Sequence, residues 1–159
     1  MDEEKVLRAV DRARELFAEE GYNCTMAVMS ALLELADGDP LDYLGLAAPF
    51  GAGTARAGLT CGALTGAVLA LGVLKAPKTY ENREAIEESY RLCAPVVRGF
   101  IEGMGSALCA EITGVDIASK EGRRRFVELN VLEKKCVPAV ELATRLAAEI
   151  ILQNAGQGA

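Results

Sequence analysis

The stretch Leu59-Thr60-Cys61-Gly62-Ala63-Leu64-Thr65-Gly66-Ala67-Val68-Leu69-Ala70-Leu71-Gly72-Val73-Leu74 contains no charged residue. Small residues recur at positions 58, 62, 63, 66, 67 and 70, and small residues spaced by four allow two helix backbones to approach closely. A helix that is apolar on every side is typically buried. We therefore predict a central core helix, with Cys61 at its amino end and other helices packed around it.

Amino-acid composition predicts an all-α protein. The chain has 159 residues, of which 51% are hydrophobic, enough for the core of one domain. Residues that favour helices, such as Ala, Leu, Glu and Arg, are abundant, and Trp is absent. We expect a single-domain compact bundle of about five to seven helices around the central helix. The domain should cover residues 1–153, followed by a disordered tail at 154–159.

Apolar periodicity, cap residues and prolines predict where the helices lie. By residue number, they predict helices at about 2–20, 24–36, 41–47, 60–76, 80–107, 109–114, 121–129 and 136–153. Pro95 is expected to interrupt the helix at 80–107, and Pro138 to lie in the first turn of the last helix. The glycine-rich loop at 49–58 lacks the Gly-Lys-Ser/Thr ending of a phosphate-binding loop. Its glycines are expected to allow tight turns beside the core.

Charge and hydropathy exclude several classes of partner. The net charge of −6 and the sequence pI near 4.8 disfavour binding to nucleic acid. No signal peptide is visible at the amino end. The uncharged stretch after Thr60 spans about 14–16 residues, fewer than the roughly 20 that cross a membrane. We expect a cytoplasmic protein without membrane insertion, and we interpret Arg123-Arg124-Arg125 as a solvated helix face.

The chain contains no histidine. This absence rules out Ser-His-Asp and Cys-His catalysis, and it rules out zinc, iron or haem sites that use histidine ligands from this chain. Any metal would be held by cysteine thiolates, by carboxylates or by an external ligand. Histidine-dependent enzyme activity is therefore excluded.

The five cysteines are Cys24, Cys61, Cys93, Cys109 and Cys136, and no two of them form a Cys-x-x-Cys pair. Taken singly, each is typical of a small apolar core residue. Three of them (Cys24, Cys61 and Cys136) fall at predicted helix amino ends, where the helix dipole lowers the pKa of a thiol. We interpret the set as clustered thiols that react or bind a metal.

The segment Cys61-Gly62-Ala63-Leu64-Thr65-Gly66 resembles the Cys-Gly-Ala-x-x-Gly motif of the redox-active protein family labelled C_GCAxxG_C_C. Cys24, Cys109 and Cys136 resemble the remaining cysteines of that pattern, whereas Cys93 has no counterpart there and is expected to be a core residue. The resemblance implies a small all-helical redox protein in which Gly62 and Gly66 allow close approach to the site. A further similarity, to a multihaem cytochrome domain with an iron–sulfur centre, implies a cluster site.

Three functions are consistent with these residues. In the first, Cys24, Cys61, Cys109 and Cys136 converge and act in redox chemistry or electron transfer with an unknown redox partner protein. They either cycle through disulfides or ligate an iron–sulfur cluster or another thiophilic metal. The second is a non-enzymatic sulfur carrier or small-ligand binding module that uses Cys61. The third is a purely structural helical interaction protein, and its exposed apolar area is compatible with a homodimer.

Overall fold

The computed structural model describes residues 2–75 and 82–155. Its α-helices are α1 (Glu3–Ala18), α2 (Cys24–Leu35), α3 (Leu44–Ala47), α4 (Gly62–Lys75), α5 (Arg83–Met104), α6 (Cys109–Thr113), α7 (Lys120–Glu128) and α8 (Val137–Ala155). Short 3₁₀ turns at Pro40–Tyr43 and Ala48–Phe50 flank α3, and a π-helical turn at Leu132–Cys136 precedes α8. The described residues form no β-strand, which confirms the predicted all-α class. The described residues form eight α-helices, of which α3 and α6 are single turns.

Local capping explains where several helices begin. The side chain of Asp2 accepts a hydrogen bond from the backbone N–H of Lys5 at the start of α1. Asn23 accepts the N–H of Met26 at the start of α2, over 3.0 Å. These bonds satisfy backbone donors that have no partner within the first turn of a helix. The first turns of α1 and α2 therefore follow directly from the sequence.

The central helix α4 packs against α2, α5 and α8, and α1 covers α2 and α8. Ala63, Ala67 and Ala70 of α4 are completely buried. At Gly66 a Cβ atom would lie only 2.6 Å from the carbonyl oxygen of Thr25 in α2. The two helices can therefore pack at this separation only because residue 66 has no side chain. This contact confirms the predicted buried central helix with small residues at its interfaces.

The interruption predicted at Pro95 is wrong, whereas α8 begins at Val137, one residue from its predicted start, with Pro138 in its first turn. Helix α5 continues through Pro95 without the predicted interruption. Pro95 is exposed, so the carbonyl that loses its hydrogen bond can be solvated. The last helical segment begins before Cys136, in the π-helical turn, and the backbone N–H of Val137 donates to the carbonyl of Leu132. The wider turn accommodates Pro138, whose ring would otherwise crowd the carbonyl four residues earlier.

The carboxyl end of α8 extends the fold slightly beyond its predicted limit. Asn154 and Ala155 are helical, so the predicted tail loses its first two residues to α8. Residues 156–159 lie outside the described residues, as do the predicted end of the central helix at 76–77 and the predicted start of the next helix at 80–81. No helix in the described parts of the chain has both the length and the apolar character needed to cross a membrane.

The loop between the second 3₁₀ turn and α4 has a left-handed backbone. Five consecutive residues have positive φ angles, namely Ala52 (54°), Gly53 (70°), Thr54 (67°), Ala55 (51°) and Arg56 (66°). For residues other than glycine this conformation costs roughly 1–2 kcal/mol each. Gly53 and Gly58 (φ 71°) make left-handed turns as expected, but four residues other than glycine share this conformation, which the sequence did not indicate. The strained segment adjoins the cysteines, because a Cβ at Gly53 would lie 2.7 Å from the Cβ of Cys109.

Candidate four-cysteine redox site

Four cysteines from four separate segments line a single cavity of about 170 Å³. Cys24 is the first residue of α2, Cys61 immediately precedes α4, Cys109 opens α6, and Cys136 ends the π-helical turn. Cys61 and Cys109 are buried, whereas Cys24 and Cys136 are partly buried, and all four are free thiols. The structure thus brings together the four residues that the sequence singled out. Cys93 lies elsewhere, packed against the core from α5.

A short antiparallel bridge between Thr60 and Leu108 holds two of the cysteines side by side. The backbone N–H of Cys61 donates to the carbonyl of Ala107 over 2.7 Å, and that of Cys109 donates to the carbonyl of Leu59 over 2.6 Å. Side chains alternate between the two sides of such a bridge. Thr60 and Leu108 are accordingly exposed, while Cys61 and Cys109 are buried. This backbone arrangement explains how residues 48 positions apart in the sequence reach one cavity.

The N-cap of α2 places the third thiol. The Asn23 side chain caps the helix and also donates from Nδ2 to the carbonyl of Ala48, over 2.9 Å. It thereby ties the start of α2 to the 3₁₀ turn that leads into the left-handed loop. The sulfur of Cys24 lies against Gly62 at the point where a side chain would begin. Gly62 therefore does allow the close approach that the sequence suggested.

The cavity walls are almost entirely apolar. They include the side chains of Phe17, Ile112, Ile117, Phe126 and Leu132, and none of the described lining residues is charged. Besides the thiols, the lining contains two polar side chains, and both are engaged elsewhere. The hydroxyl of Thr113 donates to the carbonyl of Cys109 over 2.7 Å, and the amide of Asn23 is used in capping. The sulfur atoms are thus the groups in this lining that are free to bind or react.

Burial governs the protonation of the thiols. Burial, with repulsion from the neighbouring Cys24 added, raises the pKa of Cys61 to about 12, although the N–H groups of Ala63 and Leu64 partly oppose the rise. Burial likewise raises the pKa of Cys136 to about 12, with added repulsion from the other three cysteines. The expectation that helix amino ends lower these pKa values is therefore wrong for both residues. Loss of hydration outweighs the helix N–H groups at Cys61, and Cys136 does not lie at a helix amino end.

The remaining pKa shifts follow the same pattern. Burial is the main cause that raises the pKa of Cys109, with repulsion from Cys24 added and the nearby Thr113 hydroxyl opposing it. Burial alone raises the pKa of Cys93, which senses none of the other thiols. The charge of a neighbouring thiolate would therefore raise the pKa of Cys61, Cys109 and Cys136, but not that of Cys93. In the reduced protein at neutral pH, Cys61 and Cys136 are neutral thiols.

Sequence reasoning missed several residues of the site. Phe17 and Phe126 form part of its wall although they lie on α1 and α7, which contain no cysteine. Thr25 lies next to Cys24, and its hydroxyl is completely buried against Gly62. Its position beside the first cysteine was a usable signal for Thr25. Nothing in the local sequence pointed to Phe17 or Phe126, since the folded chain alone brings them to the cavity.

An all-helical bundle that directs four thiols into one apolar cavity defines a class of small cysteine-based proteins. The chain belongs to the family described as "Putative redox-active protein (C_GCAxxG_C_C)", whose sequence pattern matches residues 22–150. It is also 30% identical over 135 residues to an "Uncharacterized protein" of Archaeoglobus fulgidus, an alignment that covers 79% of this chain and 88% of the relative. No solved structure gives a significant match. Family membership supports a redox role in general terms.

The chemistry of the donor set suits an iron–sulfur cluster better than a single ion. Thiolates are the usual ligands of such clusters, and four of them are available here. Among the described residues, however, no three Cys, Asp or Glu side chains converge closely enough to hold one metal ion. The sulfurs surround a cavity of about 170 Å³ instead of meeting at a point. Cys24, Cys61, Cys109 and Cys136 are therefore the residues that would hold a cluster.

Proposed function

We propose that this chain is an electron-transfer protein that holds an iron–sulfur cluster on Cys24, Cys61, Cys109 and Cys136. The observation that carries the proposal is the single cavity that these four cysteines line, with no charged side chain among the described lining residues. If the cysteines were only small apolar packing residues, there would be no reason for four of the five to line one cavity. The family's general redox role is consistent with this function.

The protonation of the thiols favours ligation over thiol–disulfide exchange. Exchange begins with attack by an accessible thiolate. Cys61 is only 8% exposed, and its pKa of about 12 leaves very little thiolate at neutral pH. Binding of a metal centre, in contrast, itself drives the loss of thiol protons. A buried site with raised thiol pKa values is therefore better suited to holding a cluster than to rapid exchange.

The chain's own residues would serve one-electron chemistry in three ways. When bound, a cluster supplies a site that gains and loses single electrons. The N–H groups of Ala63 and Leu64, which contact the Cys61 sulfur, would stabilise negative charge there. Phe17 and Phe126 exclude water from the cavity, and the Thr60–Leu108 bridge keeps Cys61 and Cys109 in fixed positions. None of these roles requires the chain to bind a second substrate.

Anaerobic reconstitution tests the proposal. Reduced protein incubated with iron and sulfide should acquire both elements in stoichiometric amounts, together with visible absorption that dithionite bleaches. Cys24→Ser, Cys61→Ser, Cys109→Ser and Cys136→Ser should each lower cluster content, whereas Cys93→Ser is the matched control and should retain it. Colourless protein without iron would contradict the proposal. Loss of about 2 Da per bond on mild oxidation of that protein would then indicate the disulfide chemistry.

A further inference from the structure

Two buried hydroxyl groups lack a hydrogen-bond partner within the described residues, those of Thr25 and Ser30. Both belong to α2, and both side chains are at least 99% buried. A buried hydroxyl without a partner lowers the free energy of unfolding, since it loses its bonds to water without replacement. Such a group in a folded protein requires an explanation. For Thr25, the surroundings supply one.

The position of Thr25 in the helix explains why its hydroxyl is free. Threonine inside a helix usually donates to the carbonyl four residues earlier, as Thr144 does to Val140 over 2.7 Å. Helix α2 begins at Cys24, so the residue four before Thr25, Gly21, lies outside the helix with φ of 81°. The usual acceptor is therefore not aligned with the side chain. The Thr25 hydroxyl is instead directed away from its own helix and toward α4.

The Thr25 hydroxyl lies against Gly62, which belongs to the lining of the four-cysteine cavity, although Thr25 itself does not. A Cβ atom at Gly62 would lie 2.5 Å from Thr25 Oγ1, and the same position is contacted by the sulfur of Cys24. Gly62 itself lines the cavity and follows Cys61 directly. The hydroxyl thus lies on the same side of Gly62 as the sulfur of Cys24. Ser30 lies roughly 7.5 Å further along the helix, and its atoms are not among those nearest to Gly62.

We propose that Thr25 is a positioning residue whose hydroxyl donates a hydrogen bond to a cysteine sulfur once the four-cysteine site is occupied. The inference rests on the proposed function, because it assigns the hydroxyl to the sulfurs that would hold the cluster. In the metal-free protein no cysteine sulfur of the described residues lies in hydrogen-bonding geometry with the Thr25 hydroxyl. A metal-bound sulfur carries negative charge and is a stronger acceptor. The proton remains on the threonine oxygen throughout.

This role has a defined consequence for the redox potential. Reduction adds one electron, supplied by an external reductant, and increases the negative charge on the sulfurs. A hydroxyl that donates to one of them stabilises the reduced state more than the oxidised state, and so raises the reduction potential. A hydrogen bond to a charged group, once removed, should change the ratio of reduced to oxidised protein about tenfold at a fixed poise. A hydroxyl that is buried by packing and makes no bond to a sulfur would leave the ratio of reduced to oxidised protein unchanged.

The experiment compares Thr25→Val, Thr25→Ser and Ser30→Ala with the wild type. Each protein is reconstituted anaerobically with iron and sulfide and titrated with dithionite, and the metal-free form is unfolded in urea. At a fixed solution potential, Thr25→Val should shift the ratio of reduced to oxidised protein about tenfold toward the oxidised state. The metal-free form of this variant should be no less stable in urea than the wild type. Thr25→Ser, which restores the hydroxyl, should return the ratio to within a factor of two or three of the wild type. Ser30→Ala should leave it unchanged.

The outcomes separate this inference from the proposed function. A loaded Thr25→Val protein with the wild-type potential would overturn the role of Thr25 and leave the cluster intact. Equal shifts in Thr25→Val and Ser30→Ala would also overturn it, because they would reflect general packing. Wild-type protein that assembles no cluster would instead contradict the proposed function, and the role of Thr25 would fall with it.

Discussion

The sulfur of Cys24 lies against Gly62, at the point where a side chain of residue 62 would begin. The start of α2 can therefore reach the amino end of α4 only because that position carries no Cβ. One turn later, Gly66 admits the carbonyl of Thr25 in the same way. The two glycines bring the helices together, and this approach places Cys24 beside Cys61. Helix packing and the geometry of the site consequently depend on the same contacts.

Substitution of these glycines should separate the helices. We expect Gly62→Ala and Gly66→Ala each to lower the free energy of unfolding by about 1–3 kcal/mol, because the added methyl group overlaps α2. Gly72→Ala is the matched control in the same helix, since a Cβ there meets nothing within 4 Å. It should increase the stability by up to about 1 kcal/mol through better helix propensity. Urea unfolding measures all three, and equal effects at the three positions would contradict the packing argument.

The raised pKa values of Cys61 and Cys136 predict that the metal-free protein loses stability at alkaline pH. The ordinary thiol pKa is 9.0, and burial raises both values to about 12 in the folded state. The unfolded chain therefore releases these protons first as the pH rises. The stabilisation is complete below about pH 9 and disappears between about pH 9 and pH 12, by up to about 4 kcal/mol for each thiol.

Urea unfolding of reduced, metal-free protein at about pH 8 and about pH 11 tests this pH dependence. Replacing both Cys61 and Cys136 by alanine should flatten the decline relative to the wild type. Lysine and tyrosine side chains also titrate in this range, but their contribution is shared by the two proteins and cancels in the comparison. An identical decline in both proteins would mean that the thiol pKa values are not raised by folding.

The left-handed loop predicts that substitution of one of its residues by glycine increases the free energy of unfolding. Arg56 is exposed and has a φ of 66°, a conformation that glycine adopts without strain. Arg56→Gly should therefore stabilise the protein by up to about 1 kcal/mol, after the greater flexibility of the unfolded chain is included. Ala57→Gly is the control, because the neighbouring residue is exposed and has no positive φ. Ala57→Gly should lower the free energy of unfolding. A decrease of similar size for Arg56→Gly would argue against strain stored in the left-handed loop.

The N-cap of α2 should contribute more to the free energy of unfolding than an N-cap that makes a single hydrogen bond. Asn23 both accepts from the N–H of Met26 and donates to the carbonyl of Ala48, whereas among the described residues Asn82 accepts from the N–H of Ala85 alone. Asn82→Ala should cost about 1 kcal/mol, and Asn23→Ala about 2 kcal/mol because it removes a second, long-range bond. Thermal or urea unfolding gives both values. Asn23→Ala should also lower cluster content after reconstitution, an effect that Asn82→Ala should lack.

Much of the fold could be predicted from short-range features of the sequence. Asn23 is followed by an apolar helix, and the uncharged stretch after Thr60 forms the buried α4, because capping and hydrophobic periodicity act within a few residues. The effect of Pro95, and the π-helical turn that precedes Pro138, were not predicted. Whether a proline interrupts a helix depends on exposure and on room for a wider turn, and both are set by surrounding helices.

The sequence by itself determined that the protein is helical, that it lacks histidine chemistry, and that its four patterned cysteines are distinct from Cys93. Only the tertiary structure decided that those four cysteines line one cavity, because backbone contacts such as the Thr60–Leu108 bridge join distant segments. It also reversed the predicted direction of the Cys61 pKa shift. A helix amino end is visible in the sequence, but the burial that outweighs it exists only after the helices have packed.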